Sequence, residues 1–243
     1  MAGVDGPIDA SALRLGLVAG YSHTELDVRD RASSGSSDSY HLGLYGGTEW
    51  DGLALRTGAA YAWHHASTER DIAFAGYADA AEAGYDAGTA QVFAELGYAV
   101  PMGTATVEPF ANLAYVHVRS DGFGEAGGAA ALSAADANTD TSFTMLGLRA
   151  TGAFALASVN ATAKGLVGWQ HAFGDVSPVS TLAFAGGDTF AIAGVPITRD
   201  AALIEAGIDL TLAPRATLGI VYSGQVGSGF SDQSVNANLD VRF

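Results

Sequence analysis

Cysteine is absent from this sequence, lysine occurs once (Lys164), and only 6 prolines are spread over 243 residues. Without cysteine there can be no disulfides and no thiol-based metal or redox chemistry. Charge is scarce too. Only 15% of residues are charged, against roughly 25% in soluble domains. The 11 basic residues against 26 acidic ones give a net charge of −15, which argues against a nucleic-acid partner, since that would need a basic footprint. No apolar run approaches the roughly 18 residues of a membrane-spanning helix; "GGAAALSAADA" is short, small-residue and interrupted. The opening "MAGVDGPIDA" has no basic or apolar leader segment, so no signal peptide is read there.

What is plentiful is glycine (32 residues) and apolar side chains (49%), with a mean hydropathy of +0.21. Positive hydropathy alongside a large negative charge implies that the two are segregated, and the segregation is visible as period-two alternation. In "SVNANLDVRF" (234–243), Val235, Ala237, Leu239, Val241 and Phe243 share one side, and Ser234, Asn236, Asn238, Asp240 and Arg242 share the other. That is a strand with one apolar face. The same alternation recurs in "SALRLGLVAGYSHTELDV", "SYHLGLYGGTEW", "GLALRTGAAYAWHH", "AQVFAELGYAV", "VEPFANLAYVHV", "SFTMLGLRATG", "TRDAALIEAGIDLTL" and "ATLGIVYSGQVG". It is weaker in "SVNATAKGLVGWQHAF". This makes ten strands in all.

Connections alternate between long (26–38, 68–84, 120–141, 174–197) and short ("WDG", "VPMGT", "ALAS", "LAPRA", "GSGFSD"). Tight turns therefore gather at one end and extended loops at the other. The side opposite the apolar stripe carries glycine mixed with Arg14, Arg56, Glu95, Glu108, Arg149, Glu205, Asp240 and Arg242. Such a mixture suits a hydrated interior, where charges must be paired or solvated. A cross-barrel ion-pair network is expected there. The apolar stripe ends repeatedly in aromatic residues: Tyr21, Tyr40, Trp50, Tyr61, Trp63, Tyr98, Tyr115 and Tyr222. Aromatic girdles at the ends of alternating strands point to an all-β, transmembrane, antiparallel up-and-down outer-membrane β-barrel, because only a closed barrel satisfies every backbone group in lipid. Residues 1–10 read as a short N-terminal segment on the periplasmic side and 11–243 as the barrel domain, with both termini in the periplasm and the long loops facing outward.

No catalytic constellation emerges. His64 and His65 are adjacent, point to opposite faces and cannot share a metal; nothing in the sequence pairs His117 or His171 with a carboxylate. "VGSGF" around Ser228 lacks the spacing and the strand–turn–helix setting of a nucleophile elbow. No metal and no cofactor are expected.

The motifs "AQVFAELGYAV", "VEPFANLAYVHV", "LGLRATG", "GWQHAFGD", "FAIAGVPITRDAALIEAGIDL", "YSGQVG" and the final Phe243 follow one another in an order that resembles autotransporter β-domains, the C-terminal translocators of type V secretion. The resemblance runs from about residue 11 to residue 243. It implies a twelve-stranded barrel threaded by an N-terminal helix, an outer-membrane location in a Gram-negative bacterium, lipopolysaccharide and the barrel-assembly (Bam) machinery as partners, and an upstream passenger carried to the cell surface. It also implies that Leu239, Val241 and Phe243 form the assembly signal. The match begins at the third family strand, so about ten of twelve strands and a fragment of a longer protein are expected. The second reading is a stand-alone small barrel with a structural or adhesive role through loops 120–141 and 174–197. A surface hydrolase with its site in the outer loops ranks third.

Overall fold

A computed structural model describes residues 1–8, 12–28, 32–156 and 159–241. Arg242 and Phe243, named above for the luminal face and the assembly signal, lie outside the described residues. The main sheet follows chain order through eleven antiparallel strands. They are β1 (Ala2–Pro7), β2 (Arg14–Val28), β3 (Ser33–Trp50), β4 (Leu53–Phe74), β5 (Tyr77–Tyr98), β6 (Ala105–Ser120), β7 (Ala137–Leu156), β8 (Val159–Gly174), β9 (Asp200–Ala213), β10 (Ala216–Gly227) and β11 (Phe230–Val241). Every neighbour in sequence is a neighbour in space, and among the described residues there is no helix.

The tight turns form where glycine can take a left-handed backbone. Asp51 and Gly52 both have positive φ (49° and 81°), the two-residue geometry that matches the twist of a hairpin, and Trp50 pairs directly with Leu53 across it. From that turn to Trp63 is ten residues, about 34 Å of strand. Tilted by about 40°, it spans about 26 Å, close to the roughly 25 Å apolar band of an outer-membrane barrel. β4 and β5 are 22 residues each, so about half of that hairpin projects beyond the band.

Burial is inverted relative to a soluble protein. On the apolar face Leu42, Trp63, Leu148 and Ile204 are each about half exposed, whereas Glu95 (8%) and Phe110 (5%) on the polar face are buried. Among the described residues no large side chain is completely enclosed. An apolar patch running over every strand far exceeds what water tolerates; the solvent for that face is lipid.

Three expectations change. Residues Ala2–Pro7, read as a short segment outside the barrel, pair with β2 as a wall strand, which raises the count from ten to eleven. Ala2 lies opposite Ala19, close to the level of Tyr21, so this end of the chain sits partway up the wall; only the β11 end reaches the tight turns, Val241 facing Ala216. Segments 26–38 and 68–84, read as long loops, are largely strand. Their Ser, Asp and Ala residues carry no apolar alternation because beyond the band neither face has lipid to meet. Loops 120–141 and 174–197 form a second, four-stranded antiparallel sheet from Phe123–Gly124, Leu132–Ala134, Val179–Phe184 and Thr189–Ala193.

Candidate functional site: a luminal charge cluster, two aromatic belts and a terminal strand

Four of the expected luminal charges meet. Cross-strand register sets Arg56 opposite Glu95 and Arg149 opposite Glu108, and alternation turns all four to the polar face of β4 to β7. Arg56 Nη1 donates to Glu95 (3.0 Å) and to Glu108 (2.7 Å); Arg149 donates through Nη1 to Glu108 (2.7 Å) and through Nη2 to Glu95 (3.2 Å). Each arginine thus touches both glutamates, and the square is electrically neutral. The Glu95 and Glu108 side chains are nearly enclosed, while the arginines keep about a third of their surface. This arrangement differs from the expected cross-barrel network. It lies along one wall, on four consecutive strands, because residues opposite one another across adjacent strands stand about 5 Å apart.

Small residues make the square possible. A Cβ on Gly147 would lie 2.7 Å from the Phe110 ring, and that ring in turn supports the Arg149 guanidinium, whose carbon sits 4.4 Å from its centroid. At Gly97 a Cβ would strike the Glu108 carboxylate. Beside the square opens a groove of about 580 Å³, whose lining includes Asp5, Arg14, Tyr45, Arg56, Phe93 and Glu95.

The other expected members stay apart from the square. Arg14 pairs with Asp5 of β1 at 2.5 Å, both exposed. Glu205 lines a separate recess with Met145, Leu166 and Ser223. Asp240 lies on β11 opposite Thr217. Sequence reading missed the Lys164–Asp209 ion pair; both residues fall on the polar parity of β8 and β9, which was the available signal. It also missed the luminal hydroxyl–imidazole chain in which Ser39 Oγ meets His64 Nδ1 (2.8 Å) and His64 Nε2 meets Thr89 Oγ1 (3.0 Å).

The aromatic residues form two belts. Trp50 and Tyr98 lie at the tight-turn end, where both abut Leu53. Tyr21 and Tyr40 pair across β2 and β3 with ring centroids 5.4 Å apart, and Tyr61 contacts Trp63 at 4.7 Å. With Tyr115 and Tyr222 these lie toward the long-loop end, and Trp169 joins them. Leu239 and Val241 of β11 face outward and are exposed. β11 pairs with β10 on one side, and among the described residues its other edge is open.

At the loop end, Asp79 near the tip of the β4–β5 hairpin, well beyond the apolar band, accepts hydrogen bonds from the backbone N–H groups of Ala130 (2.9 Å), Gly128 (3.0 Å) and Ala80 (2.9 Å), and from the Tyr77 hydroxyl (2.8 Å). The Ala130 amide, followed by the Tyr77 hydroxyl, holds the Asp79 carboxyl below the usual carboxylate range. Arg70 adds a two-pronged bond to Glu125. Loop 120–141 is therefore tied to the hairpin by these two side-chain anchors and by backbone pairing of Ala126 and Gly127 with Glu82 and Ala81.

Comparison with known proteins agrees with this architecture. The family profile "Autotransporter beta-domain" matches residues 1–223. An extracellular serine protease of Serratia marcescens is 41% identical over 231 residues, covering 95% of this chain; a second protein of that description from the same organism is 40% identical. The chain spans about a fifth (22%) of the length of each. Among solved structures, the translocator domain of the autotransporter NalP from Neisseria meningitidis superposes with a TM-score of 0.75 at 17% identity, covering 99% of this chain and 77% of the other. The β-domain of the Bordetella autotransporter BrkA gives 0.63 at 18% identity, covering 99% and 88%. The transport unit of AIDA-I from Escherichia coli gives 0.57 at 17%, covering 99% and 80%. The chain belongs to the autotransporter β-domain family.

Proposed function

We infer that this chain is the outer-membrane translocator and anchor of an autotransporter, supporting export of an upstream passenger to the cell surface. The observation that carries this reading is the inversion of the sheet. Eleven up-and-down strands turn their apolar face out between two aromatic belts and their charged, glycine-rich face in. Such a wall is stable only with lipid outside and a hydrated or peptide-filled lumen inside. The chain acts through its pore and carries no catalytic function of its own. Protease activity is the description of the full-length relatives, of which this chain corresponds to a small part.

The tight turns face the periplasm and the long loops face outward, as short and long connections divide in barrels of this class. Leu239, Val241 and Phe243 serve as the assembly signal for the Bam machinery, a role supported by the exposed apolar face of β11 and its open edge. The Arg56/Arg149–Glu95/Glu108 square holds one wall rigid beside the groove through which a peptide passes. Outer-membrane lipids and lipopolysaccharide contact the two belts.

The test is a blot of native outer-membrane fractions with an antibody to segment 174–197. A band much heavier than 24.6 kDa, or a barrel-sized band together with a released passenger, supports the translocator. A lone band at that mass favours a self-contained barrel working through the ordered loop sheet.

A further inference from the structure

Two of the six histidines, His41 and His64, face the lumen, where each meets a serine hydroxyl. The other four repeat one pattern. "Tyr21-Ser-His23", "Trp63-His-His65", "Tyr115-Val-His117" and "Trp169-Gln-His171" place an aromatic residue and a histidine two apart on β2, β4, β6 and β8, so that both project from the lipid-facing side. Register then sets an aspartate opposite each histidine on the following strand: Asp38, Asp86, Asp140 and Asp200. In every case imidazole Nδ1 lies 2.7–2.8 Å from the aspartate Oδ1. In three the aromatic residue also donates to the same carboxylate, Tyr21 to Asp38 (2.5 Å), Tyr115 to Asp140 and Trp169 to Asp200 (3.1 Å). The four modules occur on every second strand, about 10 Å apart by the usual strand spacing, and lie just outward of the aromatic belt.

An ionised carboxylate can only accept, so it fixes the proton on Nδ1 and orients the ring. Nε2 is then the nitrogen left to meet something outside the chain at His65, His117 and His171, whereas His23 Nε2 lies 3.4 Å from Glu25. In the charged form it is a donor, and what it meets on this face is determined by position. The belt continues the lipid-facing surface at the level where acyl chains give way to headgroups. Of the acceptors in that layer, anionic oxygens pair most strongly with an imidazolium.

We propose that these four aromatic-x-His/Asp modules form a headgroup-binding belt that takes the phosphate groups of the outer-leaflet glycolipid, each imidazolium donating from Nδ1 to its aspartate and from Nε2 to a phosphate oxygen. The proposal rests on the translocator reading, which puts the long-loop end at the outer leaflet. Binding takes up a proton on any ring that is neutral beforehand, so it weakens as pH rises. The groups facing the rings are the four aspartates and the belt aromatics, with Glu25 lying 3.4 Å from His23 Nε2 and Arg199 near Asp200. Asp38 also stands opposite His65, which thus lies between two carboxylates, and His23, shared with Glu25, is the weakest member.

The experiment uses the full chain refolded into neutral glycolipid vesicles doped with phosphorylated lipid A or with the same lipid A after removal of its phosphates. The readouts are the temperature at which heat resistance on gels is lost and the ring ¹⁵N chemical shifts of the histidines. The expected result is greater heat resistance with phosphorylated lipid A at about pH 5.5 than at about pH 8, with ring ¹⁵N shifts of the four outer histidines that differ between the two lipids. Changing all four to Asn should abolish the phosphate dependence. Wild-type protein alone decides the matter if that variant folds poorly. Insertion with equal heat resistance in both lipids, or a quadruple variant that keeps the dependence, would overturn the belt and leave the translocator untouched. Failure to insert in either lipid would overturn the barrel reading itself, and the belt with it.

Discussion

The Arg/Glu square and the His/Asp belt are built by the same device, opposite charges placed across adjacent strands, yet they are suited to different tasks. The square faces inward, its glutamates are nearly enclosed, and arginine does not titrate in any accessible range. The belt faces outward, its members range from partly to largely exposed, and histidine changes charge near neutral pH. A buried charge is costly to leave unpaired, whereas an exposed pair contributes little to stability. The face of the sheet on which a pair falls thus decides whether it holds the wall together or remains available to the surroundings.

The sharpest way to break this comparison is to remove one charge from the square. Glu95→Gln leaves Arg56 and Arg149 sharing a single carboxylate, and should lower unfolding stability in detergent by about 2–4 kcal/mol, somewhat less than the roughly 3–5 kcal/mol for breaking a fully enclosed pair because the arginines are partly exposed. Combining it with Arg149→Gln should cost less than the sum of the two single changes, measured as a double-mutant cycle. The wall should suffer more than export. A double variant that stays heat-resistant but fails to display its passenger would reverse that order and make the square a guide for the passenger.

A smaller loss is expected from crowding the support of the square. Gly147→Ala pushes on the Phe110 ring and on the Val167 carbonyl, each less than 3 Å from the added carbon, and should cost about 1–3 kcal/mol. Adding Phe110→Leu should recover part of it. No recovery would mean that the backbone contact dominates.

The Asp79 anchor at the loop end should respond to acid without global unfolding. Its carboxyl is held below its ordinary value, so the stabilisation is complete above the unfolded-state value and is lost as pH falls through the folded-state one. Protection of the Gly128 and Ala130 amides, taken as exchange relative to the intrinsic rate at each pH, should fall in acid and, at neutral pH, in Asp79→Asn. Unchanged protection in that variant would show that Arg70–Glu125 and the Ala126–Gly127 backbone pairing hold the loop without Asp79.

The smallest effect belongs to the belt. His65→Asn should shift the unfolding midpoint by no more than about 0.5 kcal/mol. A loss comparable to that of Glu95→Gln would erase the distinction between the two clusters.

Much of this was legible in the residues themselves. Alternation at Leu42, Leu44, Leu146, Leu148, Ile204 and Leu239 assigns strands and faces without ambiguity, since side chains change side at every residue. Trp50-Asp-Gly marks a hairpin because few other residues accept its backbone. The polar stripe announced a charged lumen, but partners depend on register, which alternation alone leaves free. Arg14 therefore belongs with Asp5 instead of the square, and His117 and His171, unpaired on paper, face Asp140 and Asp200. Beyond the apolar band the strand signal disappears although the strands continue, as in 33–39 and on both sides of the turn at 75–76. There, backbone hydrogen bonds to a neighbour already fixed by the membrane segment are sufficient. The sequence by itself determined the membrane-spanning parts of ten strands, their faces, the tight-turn end and the need for lipid, because each is written in local periodicity and turn chemistry. Only the tertiary structure decided which charges meet, that they line one wall, and that β1 is part of it. Those outcomes depend on register and proximity between segments distant in the chain, which no local pattern encodes.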